Sequence, residues 1–145
     1  MGGNLQEAVM APNPPETPDE TPKGALTLRT LAMPADVNVN GDIFGGWVLS
    51  QMDIAAGIVA GERAQGRVAT VAIDAMKFIR PVKVGDVLCI YAEIERVGRS
   101  SMGVALEAWV LRGRIGAREK VTEALFTFVA IDEEGRTRPV PKPQA

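Results

Sequence analysis

Residues 38–61 read NVNGDIFGGWVLSQMDIAAGIVAG; the stretch opens polar, and from Ile43 on it is apolar and glycine-rich with one carboxylate, Asp53, inside it. An ionised group left unpaired there would cost roughly several kcal/mol, so Asp53 needs a partner or a task. The apolar residues Trp47, Val48, Met52, Ala55, Ala56 and Val59 fall at helical spacing and predict a helix from Gly45 to about Gln65. Gly45 and Gly46 open it. They lack Cβ, so a ligand can come close to their N–H groups. The first N–H groups of a helix have no internal acceptor, and the helix dipole adds positive charge there. Such a place can polarise a carbonyl or hold a developing oxyanion. Close packing of helix on sheet is the competing reading of the pair. Asp53 lies seven and eight residues beyond the glycines. It is therefore on much the same face but about 10 Å farther along the axis. That is too far for both to touch one reacting atom, unless one subunit supplies the glycines and a neighbour the aspartate. A core carboxylate satisfied by Thr, Arg or backbone donors is the alternative for Asp53. Asn38 can form a turn or donate a hydrogen bond across the site, and Asn40–Gly41 is a turn signal.

Absent residue types narrow the chemistry. The 145-residue chain has no histidine and one cysteine, Cys89. A Cys/His zinc site, a disulfide and a histidine-based triad are all excluded. Any catalytic base is a carboxylate, a lysine or a tyrosine. Cys89 sits in the apolar run DVLCIYAEI and reads as core. The net charge is −2 and the signs are mixed, so there is no basic stripe for nucleic acid. A local Arg/Lys cluster would still suffice for an anionic ligand.

Positioning these groups falls to the surrounding elements. Residues 1–23 hold five of the ten prolines and read as a flexible tail, as do residues 140–145. A single domain over 24–139 is expected. ALTLRTLAM has strand composition and stops at Pro34. After Gly66 the period becomes two, in RVATVAIDAMKFI, VLCIYAEIERV, SMGVALEAWVL and EKVTEALFTFVAI. Short breaks separate these runs, as between antiparallel neighbours. The helix is apolar on nearly all sides, so burial is expected. The pattern gives an α+β fold, one long buried helix against a curved antiparallel sheet of about five strands. The open sheet edge makes a dimer plausible. Ile43–Gly61 is long enough for a membrane span, but Ser50, Gln51 and Asp53 near its middle argue against one. No basic segment followed by an apolar one opens the chain, so a cytoplasmic protein is expected.

The stretches LRTLAMPADVNVNGDIFGGWVLSQMD, ATVAIDAMKFIRPVKVGDVL, VGRSS and TEALFTFVAID make residues 26–140 resemble the hotdog-fold acyl-CoA thioesterases, closely the YciA-like branch. The resemblance implies hydrolysis of acyl-CoA to free CoA and a carboxylic acid, broad in acyl chain. It matches Asp53 to the catalytic carboxylate, as general base or nucleophile. It matches Gly45 and Gly46 to the pair whose N–H polarises the thioester carbonyl, and Asn38 to an asparagine lining the site. Thr70 falls near a Ser/Thr position that orients water. Phe44 stands where many relatives carry His, as in this branch. No metal or cofactor is implied, CoA being part of the substrate. Its phosphates need donors, and Arg99 with Ser100 leads, followed by Ser101, Arg96, Lys77 and Arg80. Arg136 and Arg138 are weaker candidates. A homodimer with interface active sites is implied, assembled into a homohexamer as three dimers. A non-catalytic acyl-CoA-binding or scaffold protein of the same fold is the alternative.

Overall fold

Pro34 cannot donate to a sheet ladder, and the polar run behind it turns the chain away from the first strand. In the computed structural model, which describes residues 21–143, that strand is β1 (Ala25–Leu31). The helix α1 (Gly45–Ala64) follows, then β2 (Val68–Phe78), β3 (Val87–Val97), β4 (Ser101–Leu111) and β5 (Arg118–Ala130). The expected N-terminal tail lies outside the described residues up to residue 20, and residues 144–145 lie outside them too. The five strands form one antiparallel sheet in the order β1-β3-β4-β5-β2. This is the hotdog arrangement, with α1 lying along one face.

Period-two alternation decides what meets the helix. Leu88 and Ile90 of β3, Met102, Val104 and Leu106 of β4, and Phe126 and Phe128 of β5 point at α1. They pack on Val48, Met52, Ala55, Ala56 and Ala60. Full burial of each large side chain contributes roughly 1.5–3 kcal/mol. The alanines bring the helix axis close to the sheet. Burial on nearly all sides does not hold in the single chain: Ile54 and Ile58 are 51% and 47% exposed. They lie four residues apart, on one stripe that no element of this chain covers.

The sheet order corrects another expectation. β2 was to neighbour β3 through a short connection. Instead β2 pairs with β5 and forms the far edge. β3 is already flanked by β1 and β4, so it offers β2 no free side. Residues 79–86 therefore cross the end of the sheet. β2 has register shifts at Thr70/Ala72 and Asp74/Lys77, and such bulges bend a strand and re-aim its side chains.

On the outer face Cys89, Tyr91 and Trp109 form a small buried cluster. Arg118 donates to the Tyr91 hydroxyl at 2.8 Å. Lys120 lies between Glu107 and Glu123. Burial opposes its charge, but the two carboxylates outweigh that and hold its pKa above the ordinary lysine value.

The C-terminal segment is tied down farther than its composition indicated. Val140 packs against the core and its N–H donates to Arg99 O at 2.7 Å. Arg63 donates to Pro141 O at 2.6 Å. Arg138 caps the C-terminal end of α1, donating to Ala64 O and Ile131 O, both at 3.0 Å. This guanidinium thus has a structural task. Arg138→Met is expected to destabilise the protein by about 1–2 kcal/mol. A urea titration checks this; an unchanged midpoint would mean that the cap contributes nothing. Among the described residues no helix is long and apolar enough to cross a membrane.

Candidate active site

Asp53 stands near the middle of α1 and is half-buried. The Thr70 hydroxyl, on β2, donates to Asp53 Oδ1 at 2.7 Å. A threonine hydroxyl has one proton and two acceptor lone pairs. With its proton on the carboxylate, Thr70 can still accept from a water. Asp53 Oδ2 makes no other protein hydrogen bond among the described residues. The pair thus presents one fixed and one available carboxylate oxygen.

The glycine pair starts the helix. Trp47 N–H and Val48 N–H donate to Phe44 O at 3.1 and 3.4 Å. The amides of Gly45 and Gly46 precede these and have no intrahelical acceptor. A Cβ on Gly45 would come within 3.2 Å of the Phe78 ring, whereas one on Gly46 would meet nothing within 4 Å. The loop before the helix is locked by Asn38. Its Oδ1 accepts from Asn40 N–H at 2.8 Å and Asp42 N–H at 3.1 Å. Gly41, at φ +84°, completes the turn expected from Asn40–Gly41. The Asn38 side-chain oxygen is therefore occupied, and its amide nitrogen remains as a donor. Asp42 pairs with Lys83, which ties this loop to the crossing segment.

A cavity of about 380 Å³ adjoins the helix start. Asn38, Gly45 and Val48 line it, together with Phe78, Arg80 and Pro81. A depression of about 290 Å³ on the outer sheet face is lined by Glu93, Glu95, Glu107 and Glu123, with Lys23. Four carboxylates there would repel an anionic substrate. Among the described residues no three His, Cys, Asp or Glu side chains gather as a metal would need.

The expected residues fall into three groups. Asp53 meets Thr70. Gly45, Gly46 and Asn38 stand toward the end of the sheet where β2 finishes, with Lys77 and Arg80. Arg80 is largely engaged, donating to Lys120 O at 2.8 Å and lying 3.7 Å from Glu119. Arg96, Arg99, Ser100 and Ser101 cluster at the β3–β4 turn, near the helix C-terminal end through Val140. Arg96 reaches the Ser101 hydroxyl at 3.4 Å, and Arg99 is exposed. Of the apolar side chains nearby, Met52 is core, Trp47 and Met76 pack against the core, and Phe78 is 48% exposed at the cavity. Sequence reasoning missed Asp86, Arg112 and Thr122 behind the cavity wall. The signal for Asp86 was available: like Asp53, it abuts an apolar run, VLCIYA.

Comparison with known proteins bears on the family and the fold. The thioesterase superfamily model matches residues 40–117. The acyl-CoA thioester hydrolase YciA of Salmonella typhimurium is 56% identical over 128 residues, covering 86% of this chain and 96% of its own. The hexameric thioesterase y2039 of Yersinia pestis superposes with a TM-score of 0.81 at 54% identity, over 85% of this chain and 100% of that one. HI0827, a hexameric broad-specificity acyl-coenzyme A thioesterase, superposes with a TM-score of 0.80 at 54% identity, over 86% of both chains. A carboxylate held on the helix, an open helix N-terminus and these likenesses lead to one assignment: the chain belongs to the hotdog-fold thioesterase superfamily, in its YciA branch.

Proposed function

We propose that the protein hydrolyses acyl-CoA thioesters, with a broad range of acyl chains, at sites formed between two copies of the chain. The observation that carries this reading is the Thr70–Asp53 hydrogen bond beside an unpaired sheet edge. A binding protein has no need for a carboxylate fixed in this way. Asp53 either draws the proton from an attacking water or attacks the carbonyl carbon itself, forming an anhydride that water opens. In both cases the carbonyl oxygen gains charge, which the Gly45 and Gly46 amides can hold. The CoA sulfur leaves as a thiolate and takes a proton. Water, one carboxylate and two amides suffice, so no metal or cofactor is invoked.

Distance argues for two copies. At about 1.5 Å per residue, Asp53 lies some 10–12 Å along the axis from the glycines of its own chain. An antiparallel pairing of β2 with its copy, about Ile73 at the strand midpoint, sets Thr70 of one chain opposite Met76 of the other, two residues from Phe78. Phe78 lies against Gly45. The second copy's helix start thus approaches Asp53. The same pairing closes the edge of β2 and covers the exposed Val71, Ile73, Ile54 and Ile58. Assembly into a homohexamer follows by likeness to the hexameric relatives. We place the CoA phosphates near Arg99, Ser100, Ser101 and Arg96, which lie beyond Asp53 toward the far end of α1.

Release of free CoA from short, medium and long acyl-CoAs tests the activity. Binding of CoA without turnover on any of them would establish the non-catalytic reading instead. The interface has its own test. Ile73→Lys would bury an unpaired ammonium at the pairing edge, and its expected effect is a dimer affinity lower by about 10²–10³-fold with loss of turnover. Sedimentation checks it; an unaltered assembly would place the contact elsewhere.

A further inference from the structure

Two polar side chains among the described residues are fully buried, Asp86 at 2% and Thr122 at 0% exposure. Both hold the same stretch of chain. The Thr122 hydroxyl donates to Lys77 O at 2.6 Å, where β2 ends. The Asp86 carboxylate accepts from Lys83 N–H at 2.8 Å and pairs with Arg112. Arg112 then uses its fork: one nitrogen faces Asp86 and the other donates to Pro81 O at 2.9 Å and to Glu119 at 3.4 Å. Backbone bonds complete the fastening. Ile79 N–H donates to Val121 O at 2.7 Å, and Ile43 N–H donates to Val82 O at 2.9 Å.

A buried carboxylate is an expensive way to hold an ordinary connection, because its charge must be desolvated and then paired. The held stretch is no ordinary connection. Phe78, Arg80 and Pro81 line the cavity at the helix start beside Gly45 and Val48, and the Phe78 ring lies against Gly45. Gly45 and Val48 of α1, which is fixed by its own packing in the core, complete the lining. The width of the cavity is therefore set by Thr122 at one end of the stretch and by Asp86 with Arg112 at the other.

We propose that Thr122, Asp86 and Arg112 are positioning residues that hold the 78–82 wall at the width that binds the thioester. The proposal rests on the hydrolase reading above. The three side chains touch neither Asp53 nor the glycine amides, so they act on binding and leave the chemical step alone. Loss of the hold widens or loosens the cavity, which raises KM. The reacting groups keep their places, so kcat is retained.

The test uses the full chain in its natural assembly with hexanoyl-CoA as substrate. Thr122→Val keeps the side-chain shape and removes the donor. Arg112→Lys keeps the charge, but one ammonium cannot reach Asp86, Pro81 and Glu119 together. Each is expected to raise KM about tenfold, with kcat within about threefold of wild type. Thr122→Ser restores the hydroxyl and is expected to restore KM. Hydrogen exchange at the Ile79 and Arg80 amides is expected to quicken in the first two variants and not in the third. A wild-type KM in Thr122→Val and Arg112→Lys would overturn the proposal, whatever their melting temperatures. A fall in kcat at unchanged KM would overturn it equally. If wild type failed to hydrolyse hexanoyl-CoA, the hydrolase reading would be in question instead. The exchange rates, read without substrate, would still decide whether these side chains hold the wall.

Discussion

Asp53→Asn is expected to lower kcat by about 10²–10⁴-fold while the protein remains folded and still binds CoA. The replacement is isosteric, and the amide oxygen can still accept the Thr70 proton that Asp53 Oδ1 receives at 2.7 Å. Geometry is thus kept and only the basic, nucleophilic oxygen is lost. The site is half-buried and not part of the fully buried core, so no cavity opens. Steady-state CoA release measured beside CoA binding by calorimetry separates the outcomes. A mutant that binds CoA as wild type does but turns over slowly assigns the chemistry to the carboxylate. A mutant with the wild-type rate would leave Asp53 a structural partner of Thr70, and the base would have to be sought elsewhere. A mutant that loses binding as well would mean that the carboxylate organises the site and does not act in the reaction.

Much of this site could be read from the sequence because local rules governed it. The helix start at Gly45, the turn at Asn40–Gly41 and the bounds of β3 and β4 each follow from nearby residues, and the structure has them there. Asp53 drew attention by being the wrong type for its surroundings. What escaped is non-local. No pattern in RVATVAIDAMKFI says that it will lie beside β5 and not β3; that depends on β1 and β4 taking both sides of β3, a non-local matter. The wall behind the cavity escaped for the same reason. Thr122 and Lys77 are 45 residues apart in sequence, and Arg112 and Asp86 are 26 apart. The exposed face of Ile54 and Ile58 is a further case: an apolar residue reads as buried, but the sequence does not say by which chain.

Gly46→Pro is expected to lower kcat by about 10²–10³-fold, the scale of losing one oxyanion donor. Proline removes the amide proton and little else, because the first turn of a helix has no acceptor for it. Gly45, lacking Cβ, eases the restriction that a proline puts on the residue before it. Gly46→Ala is the control. It keeps the N–H, its Cβ meets nothing within 4 Å in the single chain, and it should stabilise the helix by up to about 1 kcal/mol. Equal losses in Gly46→Pro and Gly46→Ala would point to crowding against the second copy and not to the missing proton. The two inactive variants also test each other. Where each site takes its carboxylate from one chain and its amide from the other, a dimer of Asp53→Asn with Gly46→Pro contains one site with both lesions and one with neither. Mixed chains should therefore regain activity, about half of wild type per mixed dimer. Sites within single chains would each carry one lesion, and mixing would restore nothing. That result would require the 10–12 Å between Asp53 and its own glycines to close within one subunit, and the thioester would then have to lie along the helix axis.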